Sequence, residues 1–122
     1  MKKRIDSFRY AFRGIADAFS EQPNIRIHFI AAGIAVLLSA FLHLNTTEWC
    51  IILFCCGLVI SMELLNTAIE KLCDFAEPQR NEKIRIIKDV SAAAVLVASI
   101  VSLAIGLVIF VPKIVQMVSN AD

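Results

Sequence analysis

The sequence predicts an all-α membrane protein, with three transmembrane helices behind an N-terminal amphipathic surface helix, in one domain over residues 1–122. Three observations predict it. Hydrophobic residues make up 58% of the chain, against about 45–50% in soluble domains. The excess is gathered into three runs close to the ~20 residues that cross a hydrocarbon core. Lys and Arg crowd into some connections and are nearly absent from others.

Residues 2–20 form the surface element. Ile5, Phe8, Phe12, Ile15 and Phe19 recur at intervals of three and four, which places them on one helical face. Lys2, Arg9, Arg13 and Asp17 fall largely away from it. Such a helix suits the headgroup layer, aromatics down. A cap packed on the other helices would use the same pattern, but the basic flank and the adjoining span favour the interface. Pro23 marks the bend into the first span.

The first span is 25–44, with its polar residues near the start. The second is 49–69, and Glu63 is its only charge. The third, 90–111, carries no charge and is expected to stop at Pro112-Lys113. Within it Ala94, Ala98, Ser102 and Gly106 are spaced by four, a row of small residues that lets another helix approach. Cys50, Cys55, Cys56 and Cys73 match no zinc or disulfide framework and read as small buried hydrophobes. The charged first 28 residues contain no separate apolar core of a cleaved signal peptide.

Orientation follows from the basic residues. Lys2, Lys3, Arg4, Arg9, Arg13 and Arg26 precede or open span one, and Lys71, Arg80, Lys83, Arg85 and Lys88 lie between spans two and three. The connection "NTTE" has none, and the C-terminal tail has only Lys113. The N-terminus and the second connection are therefore expected on the cytoplasmic side of the membrane.

The stretch "SMELLNTAIEKLCD" carries the functional signal. Glu63, Asn66, Glu70 and Asp74 follow one another by three or four residues and share a helix face. Glu63 falls about 9 Å inside the cytoplasmic boundary, Glu70 at it, and Asp74 beyond it. Glu70 and Asp74 could be a solvated helix end, and Glu63 a structural residue paired with a neighbour. An intramembrane carboxylate is more often functional. Glu63 is shallow enough to meet a lipid head group and can take a proton from a hydroxyl. Glu70, wetter, suits a hard cation such as Mg²⁺, which takes one or two carboxylates and fills its shell with phosphate and water. With the cations of "RNEKIRIIKD" beside them, these parts read as phosphoryl transfer onto a lipid alcohol.

"ELLNTAIE" (Glu63–Glu70) and "KDVSAAAVL" (Lys88–Leu96), with "SFRYAFRGI" before span one, resemble the signature of the small bacterial integral-membrane diacylglycerol kinases, a family that includes undecaprenol kinases. The resemblance covers nearly the whole chain. It implies a homotrimer, ATP as co-substrate and Mg²⁺ as cofactor, with no nucleic-acid partner. Glu63 would correspond to the general base and meet the lipid substrate, and Asn66 would help arrange the site. Glu70 would bind the metal bridging the ATP phosphates. Tyr10, Asn81, Glu82, Lys88 and Asp89 would lie at the nucleotide, and Lys3, or else Arg4, would touch the lipid. A second metal-binding Glu, usual in the family before span one, is displaced: the matching position is Gln22, and Glu21, one residue early, is the expected substitute.

The expected reaction converts diacylglycerol to phosphatidic acid; undecaprenol is the alternative, toward which Thr67 and "RIHF" lean slightly. The chain has neither a P-loop nor a Gly-rich kinase loop, so side chains at helix ends must hold the nucleotide. A different class remains open, a small membrane scaffold or proton-handling subunit, in which Glu63 titrates or pairs and Asn66, Glu70 and Lys88 need not act together.

Overall fold

A computed structural model describes residues 2–121. Met1, Asp122 and the Lys2 side chain, which the sequence places at the domain ends and on the polar face of the first helix, lie outside the described residues. There are four helices among the described residues and no strand: α1 (Lys2–Glu21), α2 (Pro23–Phe41), α3 (Thr46–Ala76) and α4 (Glu82–Ser119). Three of them, α2, α3 and α4, are long and apolar enough to cross a membrane. The most extensive packing is α3 on α4, followed by α2 on α3, while α1 touches α2 and α3.

The joint between α1 and α2 is built by Gln22, extended at φ −110° and ψ 111°, and by Pro23 in the first turn of α2. A residue before proline is pushed out of the helical region, and proline itself suits a helix start. The C-terminal carbonyls of α1 find a donor in the next helix. Arg26 Nε donates to the Phe19 carbonyl at 2.7 Å and its Nη2 to the Ser20 carbonyl. Phe19 meets Phe29 edge to face at 5.7 Å, over the buried Ala18 and Ile25. The elbow is thus a fixed corner. Arg26→Met keeps the apolar stem and removes the donors, and is expected to speed proteolysis between residues 19 and 26 in detergent severalfold. An unchanged cleavage rate would show that the aromatic contact alone fixes the corner.

Ile5, Phe8 and Phe12 are 66–70% exposed. A helix capping the others would have buried these side chains; among the described residues the stripe is covered only toward its end, where Phe19 packs on Phe29 and Ile15 is partly buried.

At its other end α2 stops before the expected limit. Residues 42–44 form a closing turn: the Leu44 amide donates to the Ser39 carbonyl at 3.1 Å and the His43 amide to the Ala40 carbonyl at 3.2 Å. This pairing needs a left-handed residue at position 43. His43 supplies it at φ 51° although it is not glycine. His43→Val should lower stability by about 1–2 kcal/mol, because a β-branched residue there is strained. Thermal unfolding in detergent reads that difference. The chain then enters α3 through a reciprocal cap, in which the Asn45 side chain accepts from the Glu48 amide and the Glu48 carboxylate from the Asn45 amide, each at 2.9 Å.

Helices α3 and α4 hold 31 and 38 residues, so each exceeds a hydrocarbon core of about 30 Å at ~1.5 Å per residue. Pro112 does not stop the last helix; α4 runs through it to Ser119. A proline removes one backbone bond and crowds the preceding turn, a defect that membrane helices tolerate when neighbours compensate. Here Lys113, the next residue, pairs with Glu48 at 3.0 Å, and both side chains are about three-quarters buried. What reads in sequence as a stop is therefore a fastening of α4 to the start of α3. The opposite ends of these helices are joined through 77–81, where the Asn81 side chain accepts from the Lys83 and Ile84 amides and caps α4.

Candidate active site

The last four turns of α3 carry the polar side chains. Glu63, Asn66 and Thr67 are buried at 3%, 7% and 4% exposure, while Glu70 is half-buried and Asp74 exposed. Their spacing keeps them on one side of the helix, so the line passes from a dry interior to water. Asn66 Nδ2 donates to Glu70 Oε1 at 3.3 Å. The other end of that amide, and the Thr67 hydroxyl, are buried with no hydrogen-bond partner among the described residues. Buried polar atoms are normally paired. Two unpaired ones beside a carboxylate are groups able to receive a ligand.

Glu63 faces α2. Its Oε2 lies 3.8 Å from His28 Nε2, and the imidazole is 22% exposed. At the wet end of the line, Asp74 pairs with Lys88 of α4 at 2.5 Å, which brings the "KD" motif against α3. Glu21, at the end of α1, pairs with Lys71 at 2.5 Å, one residue beyond Glu70. Three helices therefore converge on the last turns of α3. Gln22 stands at the N-cap of α2 and makes no side-chain capping bond.

The remaining predicted residues sit apart. Asp89 and Glu82 are both bound by Arg85 on the exposed side of α4. Asn81 spends its carbonyl oxygen on the cap of α4. Tyr10 is exposed, with the Arg9 and Arg13 guanidinium groups 5.5 and 6.0 Å from its ring centroid. Lys3 is exposed in the first turn of α1, where its carbonyl accepts from Ser7 Oγ at 3.0 Å. Among the described residues, none of these five shares a hydrogen bond or ion pair with the α3 line.

The sequence reading missed His28 as a neighbour of Glu63. An ionisable side chain within an apolar span was the available signal, and it was applied only to the carboxylate.

An open cavity of about 470 Å³ lies between α2, α3 and α4. His28 is at its inner end, and it continues past Ala35, Cys55 and Gly106 to Ile114. From Ser99 to Ile114 along α4 it runs about 22 Å. Its lining is almost wholly apolar and suits hydrocarbon rather than water.

Among the described residues no three His, Cys, Asp or Glu side chains stand together as a metal cage. Mg²⁺ is usually held by one or two carboxylates and completed by phosphate and water. The Glu70 carboxylate, steadied by Asn66 Nδ2, offers hard oxygen donors of that kind.

The family model for prokaryotic diacylglycerol kinase matches residues 9–110. The chain belongs to that family. It is 41% identical over 109 residues to the undecaprenol kinase of Bacillus subtilis, an alignment covering 88% of each chain. It is 38% identical over 113 residues to a diacylglycerol kinase of Synechocystis, covering 91% of this chain and 64% of that one. It is 29% identical over 93 residues to the diacylglycerol kinase of Escherichia coli K12, with 76% of each covered. Membership makes the protein a lipid kinase of the diacylglycerol kinase type, as "ELLNTAIE" and "KDVSAAAVL" implied. A kinase of this type draws its phosphoryl group from ATP. With α2, α3 and α4 each able to cross a bilayer, it is a multi-pass membrane protein.

Proposed function

We propose that this kinase phosphorylates a long-chain lipid alcohol at the inner face of a bacterial cytoplasmic membrane, with Glu63 as the general base. The observation that carries the reading is a carboxylate buried at membrane depth and continued by Asn66, Glu70, and the Asp74–Lys88 pair toward water. A lipid hydroxyl arriving from the bilayer meets Glu63, which accepts its proton as the oxygen attacks the γ-phosphorus of ATP and the bond to the bridging oxygen breaks, releasing ADP. Asn66 holds Glu70 in place. Glu70, with Glu21 on the neighbouring helix end, would hold Mg²⁺, whose chemistry there is to neutralise charge on the ATP phosphates. Lys88 lies where it can exchange Asp74 for a phosphate oxygen. Tyr10, Asn81, Glu82 and Asp89 are proposed at the nucleotide, and Lys3 at the lipid.

The basic residues of 2–26 and 71–88 support a cytoplasmic location for both segments, where ATP is available. The exposed Ile5, Phe8 and Phe12 of α1 support its lying in the headgroup layer. Three spans alone offer little concave room for a nucleotide, which favours a homotrimer with the site completed between subunits.

Between the two lipids, the 41% identity to an undecaprenol kinase favours a polyprenyl alcohol. Diacylglycerol is the second reading, favoured by the family's description and the diacylglycerol kinases among its relatives. Transfer of radiolabelled phosphate from ATP, measured in mixed micelles with undecaprenol, diacylglycerol and ceramide in turn, tests this. Labelled undecaprenyl phosphate in excess is the expected result, excess phosphatidic acid selects the second reading, and no lipid-stimulated turnover overturns both.

A further inference from the structure

We propose that His28 is a positioning residue for the reaction, holding the Glu63 carboxylate toward the lipid hydroxyl; the inference rests on Glu63 being the base. Glu63 is 4% exposed at its side chain, and among the described residues its ion-pair partner is His28 Nε2, 3.8 Å away. A buried carboxylate without a partner is costly and free to turn. At 3.8 Å the contact is longer than a hydrogen bond, and catalytic hydrogen bonds often tighten only with substrate bound. An imidazole N–H closing onto Oε2 would fix one oxygen and leave the other to face a substrate, the orienting role that a third group plays toward a base in many active sites. His28 also lines the inner end of the cavity between α2, α3 and α4. It therefore stands between that cavity and Glu63.

Among the described residues, the other charged groups around Glu63 are engaged elsewhere. Arg26, on the same helix, is committed to the α1 carbonyls of Phe19 and Ser20. Glu70, further along α3, is bonded to Asn66, and Glu21 of α1 is paired with Lys71. Helix α4 contributes Ser99 to the cavity and no charged residue between Val90 and Val111. Phe19 of α1 packs on Phe29, next to His28, which anchors the backbone that carries the imidazole.

Two substitutions separate orientation from packing. His28→Phe keeps an aromatic ring and loses both nitrogens; His28→Gln keeps an N–H donor and loses the ring. Positioning predicts that His28→Phe lowers kcat about 10–100-fold, leaves the KM for ATP unchanged, and has no further effect in a Glu63→Gln background. His28→Gln should retain most of the turnover. A packing role predicts the reverse order, and a His28→Phe enzyme within about twofold of the parent overturns the proposal. Glu63→Gln is assayed beside them. If it remains active, the base assignment falls; if it is inactive while the His28 variants are normal, only the role of His28 falls. Should His28→Phe fail to assemble, His28→Ala carries the test through restoration of turnover by added imidazole, and absence of restoration overturns it.

Discussion

Glu63→Gln should cut lipid phosphorylation by about 10²–10⁴-fold, the contribution of a positioned general base. The amide keeps the volume of the carboxylate and removes its ability to accept a proton. Because Glu63 is 3% exposed, the same change also relieves the burial of an ionisable group, which a bilayer penalises. The variant should therefore unfold in detergent at a temperature equal to or above that of the parent while its turnover collapses. This opposition distinguishes a site residue from a structural one, since active sites commonly hold groups that cost stability. If Glu63 instead served as one half of a structural pair with His28, its loss would lower the unfolding temperature and spare turnover. Nucleotide binding should be unaffected, because seven residues, about 10 Å of helix, separate Glu63 from Glu70. Initial rates at saturating lipid, with melting followed in the same detergent, provide both readings. Retention of more than about a tenth of the parent rate would remove Glu63 from the role of base.

The parts of this site that were legible in sequence lie on one helix. Glu63, Asn66 and Glu70 share a face because of helical spacing, and the Asn66–Glu70 bond is the i, i+4 contact that the spacing implies. The spans were equally legible, since apolar runs of the necessary length have few other uses. What joins different helices was not. The approach of His28 to Glu63 depends on how α2 leans on α3, and the Lys88–Asp74 pair on the turn at 77–81. Neither has a period in the sequence. Pro112 misled for another reason. Its penalty is calibrated on helix interiors in water, whereas here α4 continues through it and the adjoining Lys113 is tied to Glu48. Residues 42–44 were counted with the first span because Leu42 and Leu44 are apolar, yet the left-handed His43 closes the helix before them.

Glu70→Gln should give a defect of a different kind. The carboxylate is half-buried at the wet end of the line, held at 3.3 Å by Asn66 Nδ2. An amide in its place keeps one oxygen and loses the charge, and Mg²⁺ depends on charged oxygen donors. The Mg²⁺ concentration for half-maximal rate should rise by at least the 10–100-fold typical of losing a group that merely orients a metal ligand. The KM for ATP should rise with it, and kcat should recover in part when Mg²⁺ is raised. Glu63→Gln predicts none of this: its rate should stay low at every Mg²⁺ concentration, with an unaltered midpoint. Glu21→Ala and Gln22→Ala, titrated in parallel, locate the second carboxylate position. The larger shift is expected from Glu21, whose side chain already reaches α3 at Lys71, and a larger shift from Gln22 would return that role to the residue at the α2 cap. An unchanged Mg²⁺ midpoint in Glu70→Gln would remove Glu70 from metal binding and leave it only as the acceptor that fixes Asn66.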